Sequence, residues 1–195
     1  MLVLATVLVG GCGGGPRQDA AEPSGSYKLE VSGAQFPASQ AIAQKARMVV
    51  RVHNADSKAA PNVAVTVETD PQKSGGGTVA FGQRVSDDRL SDPERPVWVV
   101  DQAPTGGDSA ATNTWTLGRL GAGETKTFVW RVTAVQAGDY TIRYRIAPGI
   151  AGKAKLAAGG RTDGLFRVRI DDKPVPARVD DNGNIVRGQA PGAGK

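Results

Sequence analysis

Six stretches of this chain place apolar residues at every second position, and that pattern constrains its fold more than any other feature. They are Tyr27-Leu29-Val31, Met48-Val50-Val52, Val63-Val65-Val67, Phe128-Trp130-Val132, Ile142-Tyr144-Ile146 and Phe166-Val168-Ile170. Successive side chains of a strand point to opposite faces, so a period of two marks half-buried strands. Val97–Asp101 and Thr112–Gly118 are weaker candidates, which brings the expected total to about eight. Valine supplies 22 of the 195 residues, and 26 glycines and 12 prolines interrupt any long helix. One short helix is expected over 38–46. Turn-forming residues at 54–57, 121–123 and 137–139 join consecutive strands closely, which favours antiparallel neighbours. The chain therefore reads as all-β, an antiparallel two-sheet sandwich.

The N-terminal end carries a different signal. Residues 1–9 are apolar and uncharged, and Val9-Gly10-Gly11-Cys12 closes the run. It is shorter than the ~20 residues that cross a bilayer as a helix, and it has the length of the apolar part of a secretory signal. The tetrapeptide resembles the lipobox of bacterial lipoproteins: an aliphatic residue, two small residues, then Cys. No Lys or Arg precedes Arg17, a departure from the basic start of such signals. The resemblance implies cleavage before Cys12, lipidation of Cys12 and a place on the outer face of the cytoplasmic membrane. Two acyl chains suffice for a stable anchor. Residues 1–12 are thus expected to be the signal segment. Residues 13–26 read as a flexible tether, 27–187 as the folded domain and 188–195 as a disordered tail. The oligomeric state stays open.

A second resemblance lies in the body of the chain. Val49-Val50-Arg51-Val52-His53-Asn54, Pro61 to Val67, Leu120-Gly121-Ala122-Gly123-Glu124-Thr125 and Gly138-Asp139-Tyr140-Thr141-Ile142 resemble bacterial immunoglobulin-like domains of the cell-adhesion-related (CARDB) type. The resemblance implies an immunoglobulin-like sandwich over about 27–171. Such domains serve as spacers, adhesins and enzyme appendages alike, so it implies no particular activity. Residues 96–118 and 120–144 also resemble lipoproteins of high-GC actinobacteria.

The chain has one His and one Cys. A Ser-His or Cys-His catalytic site needs a histidine base, and a copper or structural zinc site needs several His or Cys ligands. No catalytic residue, metal site or cofactor is therefore expected, and His53 reads as an outward-facing surface residue. Asp180 to Asn184 reads as a hairpin turn between Val179 and Ile185 rather than a calcium loop. Trp130 falls in phase with Phe128 and Val132, so it belongs to the core, and Trp115 reads the same way; Trp98 is undecided.

Charge is the most pointed signal for function. The net charge is +5, and residues 131–169 hold eight Lys or Arg against two acids. Alternation points Arg131, Arg143, Arg145, Arg167 and Arg169 outward. If their strands are neighbours, they form one basic face for an anionic envelope polymer or an envelope protein. No aromatic residue interleaves the arginines on their outward parity, so nucleic acid is not expected. The leading expectation is a non-catalytic, lipid-anchored structural or interaction module of the cell envelope. The alternative is an accessory lipoprotein that handles a solute or metal through the long 70–96 loop. An enzyme would require a buried pair of carboxylates in one cleft.

Overall fold

The computed structural model describes residues 22–70, 79–83, 96–105, 108–111 and 113–187. Among the described residues every regular element is a strand. The first five are β1 (Gly25–Tyr27), β2 (Leu29–Gln35), β3 (Ser39–Ala41), β4 (Lys45–Asn54) and β5 (Ala64–Thr69). Next come β6 (Phe81–Gln83), β7 (Trp98–Gln102), β8 (Asp108–Ala111), β9 (Thr114–Thr116) and β10 (Thr125–Ala134). The last are β11 (Gly138–Ala147), β12 (Ala154–Leu156), β13 (Asp163–Asp171), β14 (Ala177–Val179) and β15 (Ile185–Arg187).

Two sheets form the body. The first has the order β2-β4-β10-β7-β6 and the second β3-β13-β11-β5-β9-β8. In an immunoglobulin sandwich one sheet runs A-B-E-D and the other G-F-C. Here β2, β4, β10 and β7 take the first set of places, and β13, β11 and β5 take the second. The protein is an all-β, immunoglobulin-like sandwich. Tyr140, at the start of β11, donates from its hydroxyl to the Ala137 carbonyl at 3.0 Å. This is the tyrosine corner that such sandwiches build where the chain crosses between sheets. Two residues earlier stands Gly138, with φ 145°, where a Cβ would lie only 3.1 Å from the Tyr140 hydroxyl oxygen.

The inward residues of both sheets make one core. Trp98, Trp130, Phe128, Leu29, Met48 and Ile142 are fully buried. Trp115 and Trp130 meet edge to face at 5.5 Å, a geometry that aligns ring edges with ring faces. Trp98, which the alternation left undecided, is also core. Its indole N–H donates to Gln40 Oε1 at 2.8 Å, and Gln40 in turn donates to the Pro37 carbonyl at 2.9 Å. A buried polar side chain is tolerable only when paired in this way.

Four expectations need correction. Residues 38–46 form no helix: β3 is followed by a turn in which Ala43 has φ 61° and then by β4. The amides of Ile42 and Ala43 bond to Asp171 and Ala134, so long-range sheet partners replace local helical ones. The strand pairing is not purely antiparallel, since β1–β12, β3–β13 and β6–β7 are parallel. The long 70–96 stretch is not all loop. Ala80 and Phe81 are buried, and β6 pairs with β7, while the Asp87–Asp92 cluster lies outside the described residues. Finally, residues 22–26, expected to be tether, belong to the domain, because Glu22 is buried and β1 pairs with β12.

Candidate functional site: the outer faces of the two sheets

The five arginines singled out by alternation all point outward, but they do not share a face. Arg131 lies on β10, which pairs with β4 and β7 in the first sheet. Arg143 and Arg145 lie on β11 and Arg167 and Arg169 on β13, in the second sheet. The expected single basic face therefore divides between opposite sides of the sandwich.

On the second sheet the arginines meet acids. Arg143 donates through Nε and Nη2 to Asp70 Oδ2, at 3.2 and 2.9 Å. Arg145 donates through both Nη atoms to the two oxygens of Glu68, at 3.3 and 3.0 Å. In register, Asp163 stands opposite Arg145 and Asp139 opposite Arg169. Among the described residues these four arginines thus stand with at least as many carboxylates, and the basic charge is offset.

The first sheet is different. The outward positions of β4 are Lys45, Arg47, Val49, Arg51 and His53, and those of β10 are Thr125, Thr127, Val129, Arg131 and Thr133. Register sets Arg47 directly opposite Arg131, Arg51 opposite Thr127 and Lys45 opposite Thr133. On the far side, Arg131 faces Gln102 of β7 and Arg51 faces Gly33 of β2. Arg51 lies across Gly33, its Nη1 only 3.3 Å from where a Cβ would stand, so glycine gives the guanidinium its resting place. None of these cations pairs in register with an acid among the described residues. Among the described residues two acids enter this face: Glu30, opposite His53, and Asp101, the extra residue of a bulge in β7 beside Arg131, which accepts from Thr133 Oγ1 at 2.6 Å. Beside Arg47 an open groove of about 500 Å³ is lined by Phe36, Pro37, Val49 and Phe166 among others.

Sequence reasoning missed Lys45, Arg47 and Arg51. The signal was present, since basic residues occupy positions 45, 47, 51 and 53, all of one parity on a strand already recognised. His53 sits half-buried at the end of β4, with Nδ1 3.2 Å from Thr125 Oγ1.

The other sequence candidates fall as follows. Cys12 lies outside the described residues. Asp180 forms the turn of the β14–β15 hairpin, accepting from the amides of Asn184 and Asn182 at 2.8 and 3.0 Å. The Asn184 amide contributes most to holding this carboxyl below its ordinary range. Among the described residues no three His, Cys, Asp or Glu side chains converge as a metal site would require.

No family model matches the chain, and no curated protein matches it. Solved structures similar to it include the crystal structure of the CARDB domain of the PF1109 protein from Pyrococcus furiosus in complex with di-metal ions. That domain is 18% identical, with 76% of this chain and 96% of that one covered, at a TM-score of 0.46. The solution structure of the same domain gives 13% identity, 77% and 99% coverage and a TM-score of 0.45. A cohesin module from a Clostridium perfringens family 33 glycoside hydrolase gives 6% identity, 76% and 100% coverage and a TM-score of 0.44.

Proposed function

We propose that this protein is a non-catalytic interaction module of the cell envelope, anchored by lipid at Cys12. It contacts an anionic envelope polymer through Lys45, Arg47, Arg51 and Arg131. The observation that carries the reading is the Arg47–Arg131 pair. Residues directly opposite on antiparallel strands have Cα atoms only about 5 Å apart, and like charges there are destabilising. A bound polyanion turns that repulsion into attraction. Alternate residues of a strand recur about every 6.6 Å, so Lys45, Arg47 and Arg51 form a linear row suited to a chain of repeating charges. The anchor is supported by the lipobox-like Val9-Gly10-Gly11-Cys12 and by Cys12 being the sole cysteine.

The test is binding of the full chain to a poly(glycerol phosphate) wall polymer across a salt series. The R47Q/R131Q double variant is expected to bind at least tenfold more weakly. Removing two cations lowers the slope of log affinity against log salt by about 1.4 for a flexible polyanion. The R167Q/R169Q variant is expected to bind as the wild type does. Equal losses from both pairs, or no binding by the wild type, overturn the assignment. Intact mass of the membrane fraction tests the anchor separately: a chain beginning at a diacylglyceryl Cys12 supports it, and a soluble unmodified chain overturns it.

A further inference from the structure

Glu22 is a buried carboxylate set against a ring of backbone donors. Only 9% of it is exposed. Its Oε2 accepts from the amides of Ile150 and Ala151, at 2.7 and 2.8 Å. Its Oε1 accepts from those of Lys153 and Ala154, at 2.9 and 2.8 Å. Successive amides turned toward one point make a concave anion-binding nest, and here both oxygens of a carboxylate are saturated, two donors to each. Burial by itself raises the pKa of this group. The four amides outweigh it and hold the carboxyl below its ordinary range. A neutral amide side chain at this position offers one oxygen and turns an –NH2 toward donors, so the nest is selective for the anion.

Gly149 shows that the space is shaped for this ligand. A Cβ at that position would lie 2.4 to 2.6 Å from the Glu22 carboxyl carbon and oxygens. The residues after Glu22 continue the attachment. β1 pairs in parallel with β12, the Gly25 amide donates to the Lys153 carbonyl at 3.3 Å, and the Ala157 amide donates to the Tyr27 carbonyl at 2.8 Å. Tyr27 is buried, with the Lys58 ammonium 4.7 Å above its ring.

We propose that loop 149–154 is a carboxylate-binding site and that Glu22 is its built-in ligand, so that residues 22–27 form a latch clamping the N-terminal strand to the domain. The site stands on its own geometry. Its consequence for reach rests on the lipid-anchor reading. When latched, the chain from Cys12 to Glu22 spans at most about 35 Å, and release as far as Lys28 adds about 20 Å. The latch therefore sets how far the cationic face stands from the membrane and which pole of the sandwich turns toward it.

Amide hydrogen exchange on the full chain tests this without lipid or polymer, so its failure is distinct from failure of the polymer reading. In the wild type, the amides of Ile150, Ala151, Lys153 and Ala154 are expected to be protected. Glu22→Ala is expected to speed exchange at these four by about tenfold or more, the scale of a lost charge-assisted hydrogen bond. Added acetate restores protection in that variant, and added chloride does not. Gly149→Ala, which keeps the carboxylate but fills its seat, speeds the same four amides. Unchanged protection at Val50 and Trp130 reports an intact sandwich in each variant. The proposal is overturned if the four amides stay protected in Glu22→Ala without acetate. It is equally overturned if they lose protection and acetate fails to restore it.

Discussion

The outer faces of the two sheets carry comparable numbers of basic residues and arrange them in opposite ways. On the second sheet Arg145 holds Glu68 on β5, Arg143 holds Asp70 just after it, and Asp139 and Asp163 stand opposite Arg169 and Arg145. On the first sheet Arg47 faces Arg131, and neither Arg51 nor Lys45 has an acid opposite. The difference lies in which strands become neighbours. β11 is flanked by β5 and β13, which bring Glu68 and Asp163 to Arg145, whereas β10 is flanked by β4, whose outward charges are all basic, and by β7, whose outward acid, Asp101, accepts from Thr133. A count of charges along the chain reports composition, while the field at a face depends on register. A run of basic strands can be electrically quiet, and an ordinary-looking strand can supply half of a cationic face.

The largest expected effect tests whether the pairs on the second sheet matter structurally. Asp70 is 5% exposed, and Arg143→Ala removes two charge-assisted hydrogen bonds from it. Losing charge-assisted hydrogen bonds to a buried carboxylate costs about 1–3 kcal/mol. For a chain of this size that is a fall in Tm of several degrees, read by thermal or urea unfolding. Arg131→Ala on the opposite face is expected to cost nothing. If the two substitutions destabilise equally, the contrast between the faces is one of appearance only.

The next test tries to erase the contrast. Asp139→Asn together with Asp163→Asn removes two charges from the second sheet and leaves its four arginines in place. That face should then gain affinity for the poly(glycerol phosphate) polymer, by several-fold at low salt, with the gain lost as salt screens it. If no affinity appears, charge balance is not what separates the two faces.

Much of the architecture was legible because the strands that carry the core are long and strongly patterned. The inward phases of β4, β10, β11 and β13 follow directly from residues such as Val50, Trp130, Ile142 and Val168. Short strands were not legible, because their partners are remote. Ser39–Ala41 becomes a strand by pairing with Arg169–Asp171, and Gly25–Tyr27 by pairing with Ala154–Leu156. No local period announces such contacts, so Ala-rich 38–46 looked helical and Gly/Ser-rich 22–26 looked like linker. Trp98 was undecided for the same reason, since its partner Gln40 is 58 residues away. The candidate site was half legible. Parity placed every arginine outward, but only pairing could put Arg131 beside Arg47 and Arg143 beside Asp70.

A smaller effect has the opposite sign. Arg131→Gln relieves the like-charge pair with Arg47 and is expected to stabilise the free protein by a few tenths of a kcal/mol. The gain should shrink as ionic strength rises, because the Debye length falls to about 8 Å at physiological salt. Unfolding midpoints of the two proteins at low and high salt provide the measurement. A loss of stability at low salt would mean that the Arg131 stem contributes packing that outweighs the repulsion.

The smallest effect is also the sharpest comparison, because it reduces each face to one number. Arg145 and Glu68 are 63% and 45% exposed at the side chain, so water screens their attraction. A double-mutant cycle through Arg145→Ala and Glu68→Ala should yield a favourable coupling of about 0.5 kcal/mol at most, the range of exposed ion pairs. The same cycle through Arg47→Ala and Arg131→Ala should yield a coupling of similar size and unfavourable sign. Adding salt should move both toward zero from opposite sides. With saturating polymer present, only the second coupling should reverse, because a bound anion between two guanidinium groups makes each favour the other. Reversal on both faces, or on neither, would show that the in-register arginines do not act on the polymer as a pair.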